Sequence, residues 1–465
     1  MKALNPILLS GREVLPLVEG GKGISVSNGE SSGAWSEAGG VGTFSAVNAD
    51  ALDAQGNIVP IVYKGTTRRE RHHELIQFGI QGGITQAKIA HERSNGQGRL
   101  HMNVLWEMAA VEEILHGILE AVSPLIHGVT CGAGMPYKVA ELTASYGLYY
   151  YPIVSSGRAF RALWKRAYHK FPEWLGAVVY EDPWRAGGHN GLSNSEDPEK
   201  PEDPYPRVRE LRAVMREYGL ENVPIIMAGG VWNLREWADW IDNPELGPIG
   251  FQFGTRPLLT QESPISPAWK QKLLTLKEGD VYLNRFSPTG FYSSAVSNPF
   301  LDELKERATH QVAYTVGPVG DHTEGFPIGA RGRLVYLTPF DKKMAEAWVT
   351  MGYSEAMRTP DSTLIFVTPA KAQEILNDQI DCMGCLSACL FSNWAQNEAG
   401  TTGRKADPRS FCIQKTLQAI SHSEDVNQQL MFAGHAAYRF SQDPFYAGGF
   451  IPTVKQLIER IQTGD

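Results

Sequence analysis

Four of the five cysteines lie near the end of the chain, and thiolates can bind metals. Cys382, Cys385, Cys389 and Cys412 have the spacing C-x2-C-x3-C-x22-C. Thiolate groups hold iron–sulfur clusters and structural zinc. The three-residue gap departs from the paired C-x2-C spacing of zinc ribbons, so the pattern favours an iron–sulfur cluster. Zinc and free, redox-active thiols remain the alternatives. The isolated Cys131 follows an apolar run and is predicted to be a small core residue.

A histidine flanked by glycines is the best candidate for acid–base chemistry. The segment RAGGHNG places Gly187 and Gly188 directly before His189, after the β-rich run 175–180. Glycines let the backbone approach a flat ligand. An imidazole at such a strand end can act as acid, base or hydrogen-bond partner near neutral pH. The alternative is an ordinary structural histidine.

Two further glycine segments follow apolar runs and could bind a phosphate. Gly229 and Gly230 follow the run VPIIM, and Gly254 and Thr255 follow PIGFQF. Glycine allows backbone N–H groups to approach phosphate oxygens, and a following helix start favours negative charge. The alternative is a pair of tight turns without a ligand.

The elements that must position these residues alternate between strands and helices. Helical patterns occur at 111–122, 137–146, 158–171 and 208–218. Strands that alternate with helices indicate parallel pairing, and eight of them form a (β/α)₈ TIM barrel with its active site at the C-terminal strand ends. The predicted strands are 23–26, 41–47, 100–105, 124–130, 149–154, 175–180, 223–228 and 249–253.

The barrel rhythm stops after residue 263, which indicates a C-terminal extension. We predict a barrel over 1–265 and a mostly helical or loop extension over 266–370, with one β signal at 363–368. Residues 371–465 would form a Cys-rich segment that ends in an amphipathic helix over 453–461.

Taken together, these motifs resemble the nitronate monooxygenase family, formerly called 2-nitropropane dioxygenases. The resemblance implies FMN at the C-terminal face of the barrel, with flavin contacts from Gly20, Gly21 and Asn103. It also implies that Gly229, Gly230, Gly254 and Thr255 bind the phosphate and that His189 is the active-site histidine. Lys22 stands where relatives commonly have Met, and it would either lie beside the flavin or reach solvent. The matching segments are VEGGKGISVSNGESSGAWSEAGGVGTFSA, HMNV, CGAGMP, PIVSS, AGGHNG, IIMAGGV and GFQFGTRPLLTQES, with weaker similarity in FSPTGFYSSAVSNPFL and MFAGHAAYR.

Other resemblances leave the reaction open. FMN-dependent enoyl-acyl-carrier-protein reductases share a GGH strand end, and DCMGCLSACLFS resembles the [4Fe–4S] segment of Old Yellow Enzyme-like 2,4-dienoyl-CoA reductases. We therefore weigh a nitronate monooxygenase-like oxidase against an iron–sulfur reductase of activated double bonds. A flavin-binding protein without turnover is the third possibility. The expected partners are a small-molecule substrate and NAD(P)H or a redox protein, with a homo-oligomer as a possible assembly.

Composition narrows the class of protein. The 465 residues carry a formal net charge of −8, which argues against general nucleic-acid binding because that needs a basic face. The sequence shows neither a membrane-spanning run nor a signal peptide, so a cytoplasmic enzyme is expected.

Overall fold

The computed structural model describes residues 2–465. Its strands and helices are numbered in chain order. The strands are β1 Ile7–Leu9, β2 Arg12–Val14, β3 Leu17–Glu19, β4 Val41–Ser45, β5 Arg99–Leu105, β6 Gly128–Gly132, β7 Tyr149–Val154, β8 Val178–Glu181, β9 Gly188–His189, β10 Ile225–Ala228, β11 Ile249–Phe253, β12 Val281–Asn284, β13 Ser293–Val296, β14 Gln311–Ala313, β15 Glu324–Ile328, β16 Arg333–Leu337, β17 Glu355–Arg358 and β18 Thr363–Val367. The helices are α1 Gly29–Glu37, α2 Arg68–Arg93, α3 Val111–Val122, α4 Val139–Ala144, α5 Gly157–Arg166, α6 Pro204–Glu217, α7 Pro267–Leu273, α8 Pro299–Thr309, α9 Pro339–Thr350, α10 Pro369–Ile380, α11 Ile413–His422 and α12 Val454–Gln462.

Eight parallel strands close into a barrel, which confirms the predicted fold. Their order is β3-β4-β5-β6-β7-β8-β10-β11, and β11 pairs back with β3. Helices that follow most of these strands cover the outer face; α3, for example, packs an apolar stripe that includes Ile114, Leu115 and Ile118. The long interruption between the second and third barrel strands is largely α2, which begins with a capping box between Thr67 and Glu70.

The first predicted strand, at 23–26, was wrong. The first barrel strand is β3, at Leu17–Glu19, and residues 23–26 lie in turns beyond its C-terminal end. Ser25 has φ of +57°, which an extended strand cannot accommodate. The apolar pair Leu17 and Val18 is fully buried and supplies the strand's packing.

The interior of the barrel is apolar below the mouth. The hairpin β1–β2 closes its N-terminal end, where Ser10 Oγ lies 2.6 Å from Tyr151 Oη and 2.9 Å from His101 Nε2. Interior positions alternate along each strand. The apolar interior cluster includes Val18, Val41, Tyr151, Ala177, Val179, Ile226 and Ala228.

The C-terminal extension contains more sheet than predicted. β12 and β13 form a three-stranded sheet with β9, while β14, β18 and β17 form another beside the hairpin β15–β16. The last two groups pack with α9 around Phe326, Val335, Trp348 and Phe366. Only β18 gave a recognisable signal, because the other strands are short and mix exposed with buried residues. The division of the chain at residues 265 and 370 stays a prediction.

Within residues 2–465, none of the helices combines the length and the apolar character that crossing a bilayer requires.

Candidate active site

The glycine pair after β10 turns the chain sharply at the barrel mouth. Gly229 and Gly230 have φ values of +90° and +79°, a backbone conformation that favours glycine. A Cβ on Gly229 would lie 3.0 Å from Ala186 Cβ and 3.1 Å from Asp182 Cβ. The turn therefore brings two peptide units close to the neighbouring strand end.

The segment after β11 borders open space on the same rim. A Cβ added to Gly254 would meet no other atom within 4 Å. The next residue, Thr255, uses its Oγ1 to accept a hydrogen bond of 2.9 Å from the backbone N–H of Gly434. The segment MFAGHAAYR at residues 431–439, called the C-terminal segment below, thus closes one side of the rim.

The loop after β3 meets the ends of β5 and β11. A Cβ on Gly21 would lie 2.3 Å from Asn103 Cβ, and one on Gly20 would lie 3.2 Å from Gly254 Cα. The structure therefore brings Gly21 close to Asn103 and Gly20 close to Gly254, as a shared ligand site requires.

The Lys22 side chain, which is 15% exposed, turns back onto its own loop and does not extend into solvent. Its ammonium donates a 2.7 Å hydrogen bond to the Gly20 carbonyl and lies 3.5 Å from Glu19 Oε1. Glu19 is 1% exposed, and its other carboxylate contacts come from Ser31 and the Thr43 backbone. Burial lowers the pKa of Lys22, whereas the charge of Glu19 raises it. Lys22 therefore fixes the first loop from within.

Gly187 and Gly188, at the start of β9, pack against the C-terminal segment. A Cβ on Gly187 would come within 2.5 Å of the Ala433 carbonyl carbon and 2.7 Å of the Gly434 nitrogen. Gly188 has φ of +66° and faces the ring of Phe432. Gly187 is required because another chain segment packs directly on its backbone, and Gly188 is favoured by its positive φ.

His189 is held at the mouth by partners from distant parts of the sequence. It pairs with Ser293 in the β9–β13 ladder, and its Nε2 lies 2.6 Å from Ser287 Oγ. The Phe432 ring packs edge-on at 5.4 Å between ring centroids. Burial lowers the pKa of His189 to about 4, so the imidazole is neutral at physiological pH. A neutral imidazole can accept a proton or share a hydrogen bond.

Sequence reasoning missed several residues of this site. Ser287 lies in FSPTGF, and Phe432 and Gly434 lie in MFAGHAAYR, so the weak similarities already marked both segments. Glu181, the last residue of β8, had no such signal. Burial and, to a smaller extent, the charge of the neighbouring Asp182 together raise its pKa to about 8.

The four clustered cysteines are free thiols; Cys382 and Cys389 are buried, and Cys385 and Cys412 are half-buried. Burial raises the pKa of Cys385, and the charges of the other three cysteines raise it further. Cys382 Sγ accepts hydrogen bonds from Gly384 N (3.3 Å) and Ser392 Oγ (3.1 Å). Across residues 2–465, however, no three His, Cys, Asp or Glu side chains are arranged as a set that could hold one metal ion. The predicted ligands are thus neighbours without a formed coordination sphere. Cys131 is fully buried in the main core, as predicted.

The cysteine segment lies beside the barrel mouth. The backbone N–H of Ala109 donates to the Cys385 carbonyl (3.0 Å), and that of Ser387 donates to the Glu107 carbonyl (2.8 Å). Residues 107 and 109 directly follow β5, which carries Asn103. Cys412 precedes α11, which is tied to the loop after β4 by a 2.9 Å contact between His422 and Asp50.

Solved structures share the architecture. A nitroalkane oxidase from Streptomyces ansochromogenes superposes with a TM-score of 0.52 at 14% identity, covering 99% of this chain and 96% of that one. FabK from Thermotoga maritima gives 0.50 at 16% identity, covering 97% and 92%. At these identities the likeness supports the fold alone.

Sequence comparisons identify the family. A probable nitronate monooxygenase of Staphylococcus aureus strain MSSA476 is 23% identical over 180 residues, 39% of this chain and 46% of that protein. One from strain Newman is 27% identical over 121 residues, 26% of this chain and 32% of the relative. The matched regions thus span less than half of these curated relatives. The sequence model of the nitronate monooxygenase family matches residues 110–464, well over half of the chain. The chain therefore belongs to the nitronate monooxygenase family, a family of oxidoreductases.

Proposed function

We propose that the protein is an FMN-dependent oxidoreductase with the flavin at the barrel mouth. The observation that carries this proposal is the meeting of the loops after β3 and β11 beside open space at Gly254, with the glycine turn at the end of the adjacent strand β10. Such a rim suits a phosphate and a flat ring, because glycine backbones admit close approach and TIM barrels commonly bind phosphate after their last two strands.

The residues present fit this group. Gly229, Gly230, Gly254 and Thr255 would surround the phosphate, while Gly20, Gly21 and Asn103 would contact the ring system. Gly187 and Gly188 would border it from the histidine side. Lys22 would support the first loop through Glu19, next to the flavin contacts expected from Gly20 and Gly21. When bound, FMN would accept electrons from a carbanionic substrate and pass them to O₂.

His189 would handle protons or charge beside the substrate. Its imidazole is neutral, and Ser287 fixes the ring through Nε2. In that state it can accept a proton from an acidic substrate carbon or hydrogen-bond an anionic substrate oxygen. Phe432 and the C-terminal segment border this position and would limit access of water.

Two measurements test this function. FMN should copurify with the protein or bind on addition, and the loaded protein should oxidise small alkyl nitronates with O₂. Failure to bind FMN would refute the cofactor assignment. FMN binding without nitronate turnover would instead favour the reductase or a flavin-binding role.

The cysteine segment favours a second candidate, an FMN-dependent reductase supplied with electrons through a metal cluster. We propose that Cys382, Cys385, Cys389 and Cys412 bind one metal centre. Support comes from their shared neighbourhood and from the N–H and O–H groups aimed at Cys382 Sγ, since hydrogen bonds to sulfur stabilise thiolate ligands. The spacing favours an iron–sulfur cluster over zinc, and the resemblance to 2,4-dienoyl-CoA reductases implies the [4Fe–4S] type.

Metal analysis of anaerobically purified protein separates the possibilities. About four iron and four sulfide per chain are expected for this cluster, with loss of both in Cys385→Ser and retention in the control Cys131→Ala. One zinc without sulfide would identify a structural site and favour the oxidase. Absence of metal from both the wild-type protein and Cys131→Ala would mean that the cysteines are free thiols. Reduction of an activated double bond, with NAD(P)H or a reduced redox protein as donor, would be the activity of the cluster-containing enzyme.

A further inference from the structure

Glu181 places a carboxyl group at the inner edge of the barrel mouth. None of the sequence motifs predicted this residue as part of the site. It is the last residue of β8 and lies opposite Ala228 of β10. Ala177 and Val179 belong to the interior cluster, whereas Val178 and Tyr180 pack into the main core outside the barrel. Because strand side chains alternate between faces, Glu181 faces the interior one step above Val179. It therefore lies at the top of the interior, where the proposed flavin would rest.

No partner neutralises this carboxyl group. Its pKa is raised by burial first and by the adjacent Asp182 second, with no hydrogen bond lowering it. The nearby Arg185 is taken up by Asp182, whose Oδ2 it contacts at 2.7 Å, while Asp182 Oδ1 accepts the backbone N–H groups of Trp184 and Arg185. The cation closest in sequence is thus already paired.

The surrounding elements add no charge that would ionise Glu181. β10 carries no ionisable side chain, and β7 carries only tyrosines at its start. His189 on β9 and His435 in the C-terminal segment both have pKa values lowered by burial, so both are neutral at pH 7. A carboxyl group so placed is held in its protonated form around neutral pH.

We propose that Glu181 is a second catalytic proton carrier of the mouth, a carboxylic acid that hydrogen-bonds the bound flavin or substrate and donates a proton to it as electrons arrive. This inference rests on the proposed function. The O–H bond of Glu181 breaks, the proton bonds to the reduced acceptor atom, and the carboxylate left behind regains a proton from solvent. His189 and Glu181 would then serve different steps, one accepting a proton and the other supplying one.

The experiment compares wild-type protein with Glu181→Gln, which keeps size and hydrogen bonding but cannot ionise. Glu107→Gln is the matched control, because burial also raises the pKa of Glu107, to about 7, while that residue lies beyond the end of β5 beside the cysteine segment. In the protein without flavin, the infrared carbonyl band of a protonated carboxylic acid should persist at pH 7 and titrate near pH 8. Glu181→Gln should lose the component of this band that titrates near pH 8, whereas Glu107→Gln should keep that component and lose only one that titrates near pH 7.

With FMN bound, the visible spectrum of wild-type protein should shift with the same transition near pH 8. The shift should vanish in Glu181→Gln, which should still bind FMN, and persist in Glu107→Gln. A shift that persists in Glu181→Gln, or its absence in wild type between pH 6 and 10, would overturn the inference while leaving the flavin site intact. Failure of wild-type protein to bind FMN would refute the proposed function instead, and the infrared titration would still report on Glu181.

Discussion

Gly254→Asp tests the proposed phosphate site with little disturbance of the fold. Gly229 and Gly230 are poor positions for this purpose, because their positive φ values strain any other residue and a Cβ on Gly230 would lie 2.8 Å from Arg185 Cδ. A Cβ on Gly254 meets nothing within 4 Å, and its φ lies outside the left-handed region. The new carboxylate would therefore enter the open space where the FMN phosphate is expected.

The size of the effect follows from electrostatics. At about 5 Å and an effective dielectric constant of ~20, two like charges repel by about 3 kcal/mol. Each 1.4 kcal/mol corresponds to about a tenfold change in affinity, so Kd for FMN should rise by at least ~100-fold. The phosphate carries more than one negative charge, which increases the penalty.

The assay is fluorescence titration of the protein with FMN, accompanied by thermal unfolding without flavin. Gly254→Asn has the same shape without charge, so it shares any steric obstruction and should bind FMN at least ~100-fold more tightly than Gly254→Asp. Both variants should unfold near the wild-type Tm in the absence of flavin. Tight FMN binding by Gly254→Asp would show that the phosphate lies elsewhere and would refute the assignment of the rim after β11.

Four other changes probe the same account. His189→Ala should retain FMN but lose at least ~10²-fold in turnover. Because burial lowers the pKa of His189 to about 4, the pH profile of wild-type turnover should show no transition from this residue between pH 5 and 8. A transition near pH 6.5 that disappears in His189→Ala would contradict a neutral His189. Ser287→Ala removes the 2.6 Å hydrogen bond to the imidazole and should lower turnover by about tenfold, the effect of ~1 kcal/mol or slightly more; unchanged kinetics would remove it from the site. Gly21→Ala places a Cβ 2.3 Å from Asn103 Cβ and should destabilise the fold by about 1–3 kcal/mol, measured by chemical denaturation; wild-type stability would mean that the first loop is free to move. Cys385→Ser should abolish metal retention without releasing FMN, and retained iron would exclude Cys385 as a ligand.

The barrel could be predicted because its strands are apolar runs separated by helical patterns. The predicted boundaries of β7 and β11 match the structure, and those of most other barrel strands differ by a few residues. The first strand failed because the true run at Leu17–Glu19 is only three residues long, and a glycine-rich loop beside it carries more β-forming residues. The short strands of the extension were hidden for a similar reason.

The site was predictable in its glycines and less so in its side-chain partners. A glycine at a strand end has a local cause, as the positive φ values at Gly229 and Gly230 show. The contact between His189 and Ser287 joins residues 98 positions apart, and the one between Thr255 and Gly434 joins residues 179 apart. Such pairings depend on how the extension returns to the mouth, which local patterns do not encode.

Identification of the bound cofactor is the most direct test of the central claim. The protein should be purified anaerobically, its visible spectrum recorded, and the released cofactor identified and quantified by chromatography. We predict flavin absorption bands and about one FMN per chain, or uptake of one FMN per chain when the purified protein is reconstituted. A colourless protein that takes up no FMN under these conditions would contradict the account.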